Sequence, residues 1–197
     1  MSKKSNLSNL TLTAMFIAVI LLMDFTPLGY ITTGLFSITL MTVPVALGAI
    51  CTGTAGAAVL GAVFGLTSFL QAFGIGFFID PSAAVLFSAR PIAYTATCFI
   101  PRIAAGVFAS LAFGAFKKFG KTGIVSKAVS SAVVPIVNTV LFMSFYIILY
   151  RDTVLAGKSF MAVFLSAITL NFFIELAATV LISTAVGAAV YKFIKHI

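Results

Sequence analysis

Arg102, Asn138, Asn171 and Glu175 are polar side chains set inside long apolar stretches of this chain. Counted at about 1.5 Å per residue from the same end of their stretches, Arg102 lies roughly 16 Å deep, Asn138 roughly 18 Å and Asn171 roughly 16 Å. Three hydrogen-bonding groups on three consecutive segments thus come to one level. Glu175 follows Asn171 by one helical turn and shares its face, and Tyr94, two turns before Arg102, shares the face of the arginine. Such groups are costly in lipid and mark a ligand, a pathway or a structural pair. Two readings fit them. One is the polar floor of a pocket for one small molecule, with Arg102 touching the ligand. The other is a buried Arg102–Glu175 ion pair that fixes two helices. Arg90, just before Pro91, stands at the mouth, where it meets an anionic group or snorkels at the interface.

The inventory leaves little room for an enzyme. The single histidine is His196, next to last in the chain, so no Ser-His or metal-His site is available within the apolar stretches. Asp24, Asp80, Asp152 and Glu175 are the whole acidic complement, and no two are close in sequence. Cys51 and Cys98 sit in apolar runs without metal-ligand spacing. Gly114-Ala-Phe-Lys-Lys-Phe-Gly-Lys-Thr122 looks like a phosphate-binding loop, but the glycines are separated by five residues rather than four and no strand precedes them. It reads as a basic turn. No cofactor and no metal is expected, and any ATP hydrolysis belongs to separate partners.

The elements that must hold these residues follow from composition. The chain has 197 residues, of which 61% are hydrophobic and 8% charged, with a mean hydropathy of +1.21. Ordinary soluble domains carry about 25% charged residues. Six apolar stretches are long enough, or nearly so, to cross a bilayer as helices: Leu10–Leu28, Ser37–Thr52, Ala55–Phe73, Ile92–Phe116, Val125–Tyr150 and Phe160–Phe193. The expected fold is an all-α membrane protein, a single domain over 1–197 with six transmembrane helices. The first stretch is long and lacks a small-residue cleavage site, so it reads as a span rather than a signal peptide. Lys3, Lys4, Lys117, Lys118, Lys121, Lys127, Lys192 and Lys195 then fall on one side, which the positive-inside rule makes cytoplasmic for both termini. This accounts for the net charge of +8 through orientation and anionic lipid, without nucleic acid. The opposite side has two loops, Thr26 to Ser37 and Gly74 to Arg90, rich in Gly, Pro and aromatic residues. They read as lids over a cavity.

Near the start, Ala14 and Ala18 are four apart and make a shallow notch on one helix face. No inverted repeat of broken helices marks a self-contained carrier. A binding protein that borrows its energy fits better.

Three segments carry a resemblance in order along nearly the whole chain: Leu28-Gly-Tyr-Ile before Ile38-Thr-Leu-Met-Thr-Val-Pro-Val-Ala-Leu-Gly-Ala-Ile50; Gly56-Ala-Ala-Val-Leu-Gly-Ala-Val-Phe-Gly-Leu-Thr-Ser-Phe-Leu-Gln71; and Ile100-Pro-Arg-Ile-Ala-Ala-Gly106. They resemble the substrate-binding S components of energy-coupling factor (ECF) vitamin transporters. The resemblance implies a multi-pass protein of the bacterial cell membrane that binds a vitamin from outside. It would dock on the transmembrane coupling protein EcfT, driven by two cytoplasmic ATPases. Ala14 and Ala18 match the family's A-x-x-x-A docking motif. Pro27-Leu-Gly-Tyr-Ile and Ser37-Ile-Thr-Leu-Met look most like the pantothenate group, although Thr42 stands where that group usually has histidine. Hydroxymethylpyrimidine, a pyridoxine-type compound or folate are the alternatives. The absence of tryptophan counts mildly against large aromatic ligands.

Overall fold

The computed structural model describes residues 3–32, 37–79, 81–117, 123–151 and 170–194. In chain order they form α1 (Lys3–Asp24), a hairpin of β1 (Tyr30–Thr32) and β2 (Ser37–Thr39), α2 (Thr42–Cys51), α3 (Gly53–Leu70) with a 3-10 turn (Gln71–Phe73), α4 (Pro81–Ala89), α5 (Pro91–Phe116), α6 (Ile124–Leu149) and α7 (Leu170–Ile194). Five of the described helices are long and apolar enough to cross a membrane, α1, α3, α5, α6 and α7.

The second expected span is the correction. Ser37–Thr52 is a three-residue strand followed by a ten-residue helix, and about 15 Å of helix is half a bilayer. Tyr30 pairs with Thr39 in the antiparallel hairpin, and Leu40 N–H closes it on Gly29 O at 3.0 Å. Residues Met41 to Ile50 are all buried. A helix covered on every side shows no amphipathic period, so apolar length alone reads it as a span. Pro44 is tolerated because it falls in the first turn. The chain therefore returns through the bundle as a hairpin plus a short helix. The sixth expected span begins, among described residues, at Leu170. The second expected lid, Gly74 to Arg90, contains α4, with Pro81 and Pro91 opening α4 and α5 at their first helical positions. Asp80, Asp152, Lys118, Lys121 and most of the basic turn lie outside the described residues.

The helix directions follow from their contacts. Thr54 meets Ser110 at 3.2 Å and Ser130 donates to Ala109 O at 2.8 Å at one end. Arg90 meets Leu149 O at the other. The first end gathers the start of α1, the α2–α3 turn, Lys117, Lys127 and the end of α7. The second gathers the hairpin, the 3-10 turn and α4.

α3 and α5 pack backbone to backbone. A methyl built on Gly61 would meet the carbonyl of Arg102, with Arg102 C at 2.8 Å and Ile103 Cα at 2.9 Å. One on Gly106 would meet the carbonyl of Ala57. Small residues on both helices permit this approach, and it fixes the height and rotation of α5 at Arg102. The core between the helices is apolar, with Ile20, Met41, Val45, Leu60, Phe64 and Val134 among its buried members.

Candidate functional site

A cavity of about 460 Å³ opens at the hairpin end, within the range of small-molecule sites. α5 contributes Tyr94 and Arg102, α6 contributes Asn138, Thr139, Phe142, Met143 and Tyr146, and α7 contributes Phe172 and Glu175. The hairpin adds Tyr30 and Thr39, the end of α3 adds Ser68 and Gln71, and the lid adds Phe78, Ser82, Ala83 and Leu86.

Arg102 is placed by the residue before it. Pro101 has no N–H, so the carbonyl of Thr97, four residues back, loses its helical donor. The Arg102 guanidinium folds back and donates to Thr97 O at 2.6 Å. It also lies over the Phe142 ring at 4.7 Å and the Phe64 ring at 5.5 Å, where cation–π attraction holds it. Its Nε has no partner. Asn138 follows Pro135 by three residues on α6, and its Oδ1 is also without a partner, as is Glu175 Oε1. No ion pair joins Arg102 to Glu175 among the described residues. The structural pair envisaged from sequence is not formed. Thr42, at the start of α2, instead bonds Thr179 on α7 at 2.8 Å, one turn beyond Glu175.

Tyr94 lines the cavity and donates its hydroxyl proton to Ser68 O at 3.0 Å, tying α5 to α3. Arg90 is exposed and is not among the lining residues. Its guanidinium donates to Leu149 O at 2.6 Å, while Tyr150 OH reaches back to Leu86 O at 3.1 Å and Arg90 O at 3.3 Å. Both lock the α4–α5 corner onto the end of α6. Asn171 falls in the first turn of α7, and its side chain lies outside the described residues.

The two loops read from sequence as lids form the roof, through contacts that the sequence reading did not name. Tyr30 stacks on Phe78 with ring centroids 5.1 Å apart, and its oxygen accepts a bond from Gln71 Nε2 at 3.0 Å. Burial pushes the Tyr30 hydroxyl above the usual phenol range, with Arg102 opposing, so it stays neutral. The hairpin and the second lid are thereby clasped. Phe87 of α4 packs on Phe73 at 5.0 Å and Tyr94 at 5.9 Å. Gln71 is the chain's single glutamine, at the end of an apolar helix, and that was its signal. Asp24 lies off the cavity. It is 1% exposed with neither oxygen partnered, beside Gly76, whose φ of 125° suits glycine alone. Phe77 N–H donates to Asp24 O at 2.8 Å.

The model of the family described as "ECF transporter, substrate-specific component" matches residues 8–187. The chain belongs to that family. It is a substrate-specific subunit of an ECF transporter, a membrane protein and a transport component rather than an enzyme by itself. Membership implies a small-molecule substrate and association with EcfT and an ATPase module. No curated protein matches the chain.

On the ECF subunit, Ala14 and Ala18 both lie on the exposed face of α1, with Leu10, Met15 and Leu22 around them also exposed. The buried face of α1 carries Thr13, Ile20 and Asp24 instead. No helix among the described residues presses into the alanine notch.

Proposed function

We propose that this ECF subunit takes a vitamin into the 460 Å³ cavity from outside the cell and passes it inward through EcfT and two ATPases of the bacterial cell membrane. The observation that carries the reading is the convergence of Arg102, Asn138, Glu175 and Tyr94, from three helices, on one cavity roofed by aromatic side chains. Arg102, Asn138, Asn171, Tyr94 and Glu175 bind the ligand in this reading. Arg90 guides an anionic group at the mouth. Both termini face the cytoplasm, and Ala14 and Ala18 receive helices of EcfT. The resemblance puts pantothenate first among substrates, with hydroxymethylpyrimidine, a pyridoxine-type compound or folate behind it.

Titration of purified protein tests the site. Arg102→Ala and Asn138→Ala each weaken vitamin binding at least tenfold, about 1.4 kcal/mol. Unchanged titrations move the site elsewhere. Ala14→Trp or Ala18→Trp abolishes assembly and uptake while leaving binding intact, and normal assembly of both would remove the docking role. Gradient-driven uptake by liposomes holding this chain alone would favour a self-contained carrier instead.

A further inference from the structure

The strap that follows the 3-10 turn has two faces. Along residues 75–79 exposure alternates from one residue to the next, as it does along an extended chain. Gly76 and Phe78 turn inward. Gly76 lies against the Asp24 carboxyl, and Phe78 stacks on Tyr30 and lines the cavity. Ile75, Phe77 and Ile79 turn outward, and Phe77 is 57% exposed. The strap is tied to the body of the protein. Gly74 N–H donates to Gln71 O at 3.1 Å, Ile75 N–H to Leu70 O at 3.2 Å and Phe77 N–H to Asp24 O at 2.8 Å. The fold itself therefore holds the three apolar side chains out, and an exposed apolar patch of this kind marks an interaction site.

The patch continues onto α1. Phe25 N–H donates to Leu21 O at 3.2 Å, which adds one helical turn and sets Phe25 above Leu21 and Leu22. Phe25 is 58% and Leu22 66% exposed, and Leu28 in the next turn is exposed as well. The bond from Phe77 to Asp24 O places the strap beside Phe25. Residues 25–28 and 73–79 include no charged side chain. α1 is long and apolar enough to cross a membrane, so its exposed leucines face lipid. An apolar surface that runs from a spanning helix onto the strap has the same neighbour. Backbone in such a place must have its polar groups satisfied within the protein, and the N–H groups of Gly74, Ile75 and Phe77 are. A lid facing water would carry polar side chains at the outward positions.

We propose that the strap is a membrane anchor as well as a roof. Ile75, Phe77 and Ile79, with Phe25 and Leu28, seat in lipid at the headgroup–acyl boundary of the leaflet at the cavity end, while Phe78 closes the cavity on the reverse side. The partner is the bilayer. Any movement that lifts Phe78 from the cavity then moves Phe77 and Ile79 against lipid. The inference goes beyond the vitamin reading and holds whichever ligand the cavity takes.

The chain has no tryptophan, so Phe25→Trp, Phe77→Trp and Ile79→Trp each introduce a single indole. Leu22→Trp is the lipid-facing reference. The full chain, without ligand, is placed in phosphatidylcholine vesicles whose lipid is brominated near the top of its acyl chains, and quenching by that lipid is compared with quenching by aqueous iodide. The expected result is that brominated lipid quenches the three strap and turn indoles at least half as strongly as the reference. Iodide quenches them at least fivefold less than it quenches free N-acetyltryptophanamide. Failure of either condition overturns the proposal. Strong iodide quenching would give a lid that faces water, and weak quenching by both agents a patch covered by protein, whether another part of this chain or a second copy. If none of the variants folds, the wild type is photolabelled with a phosphatidylcholine carrying a diazirine on its acyl chain, and an unlabelled 73–79 peptide overturns the proposal as firmly as a labelled one supports it. No vitamin enters these measurements, so their failure leaves the reading of the cavity standing, and failure of the vitamin titrations leaves the anchor standing.

Discussion

Gly61→Ala is a one-methyl change that strikes the proposed binding site from outside it. Gly61 lies on α3 and lines no part of the cavity. A methyl there would stand 2.8 Å from Arg102 C and 2.9 Å from Ile103 Cα, with the Arg102 carbonyl oxygen closer still. All three are backbone atoms, which cannot rotate away. Restoring an ordinary carbon–carbon contact of about 3.5 Å requires a local shift of about 0.7 Å between α3 and α5. Overpacking of this kind costs about 1–3 kcal/mol, a fall in thermal midpoint of roughly 2–12 °C for a chain of this size. The shift is applied at the residue whose guanidinium is held by Thr97 O and two rings. Losing one charge-assisted hydrogen bond to the ligand costs about 1.5–3 kcal/mol, or roughly ten- to a hundredfold in affinity. Gly114→Ala is the matched control. It lies on α5, and a methyl there meets nothing within 4 Å, so it is neutral or gains up to about 1 kcal/mol of helix propensity. Thermal melts with and without ligand, together with titration, read both quantities. Equal melting and equal affinity for the two variants would refute the idea that the α3–α5 approach positions Arg102.

Three further changes separate the devices around the site. Tyr30→Phe keeps the stack on Phe78 but strands buried Gln71 Nε2, costing about 1–3 kcal/mol, and stopped-flow release of ligand becomes faster as the roof loosens; an unchanged release rate would dissociate the Gln71–Tyr30 bond from gating. Pro101→Ala returns an N–H donor to Thr97 O and removes a helix-interior proline worth about 3 kcal/mol, so the thermal midpoint rises while affinity falls as Arg102 loses sole use of that carbonyl; a rise in both would show that Arg102 needs no such anchor. Asp24→Asn removes a buried carboxylate with no partner at either oxygen and raises the midpoint with titrations unchanged, because burying an unpaired charge is costly; a lower midpoint would reveal a favourable interaction made by the charge.

That Arg102 and Asn138 line one cavity was legible because depth along a helix counts at a constant rise, whatever the tertiary packing. Tyr94 was legible for the same reason, through its spacing from Arg102. The hairpin and α2 were not, since the run from Ser37 to Thr52 has the length and apolarity of a short span. Its strand pairing depends on Tyr30 and Thr39 meeting across a turn. α4 was hidden in a segment read as loop because its nine residues carry no charged residue and no clear apolar face. The Tyr30–Gln71–Phe78 clasp joins three separate segments, so no local spacing encodes it. One signal was present and unused. A proline four residues after Thr97 and directly before Arg102 specifies a free carbonyl within reach of a cation.

In a bilayer, backbone that is not helical has to be buried in protein or face a wet cavity. Much of the irregular backbone here gathers at the cavity end. The hairpin, the 3-10 turn and the Gly74–Gly76 bend lie at the cavity end, and the helix-interior prolines Pro101 and Pro135 fall one residue before Arg102 and three before Asn138. At the far end, where Gly53 and Gly123 also take positive φ, side-chain hydroxyl contacts such as Thr54–Ser110 and Ser130–Ala109 O join the helices. α1 belongs to both. Its buried face meets the lid bend through Asp24 O and Phe77 N–H, and Thr13 lies against Gly56 near the start of α3. Its outer face leaves Ala14 and Ala18 uncovered. On the proposed reading the subunit binds at one end and is driven by another protein, which calls for a roof over the cavity and an uncovered face on α1, and the hairpin, α4 and the Ala14–Ala18 face are placed to supply both.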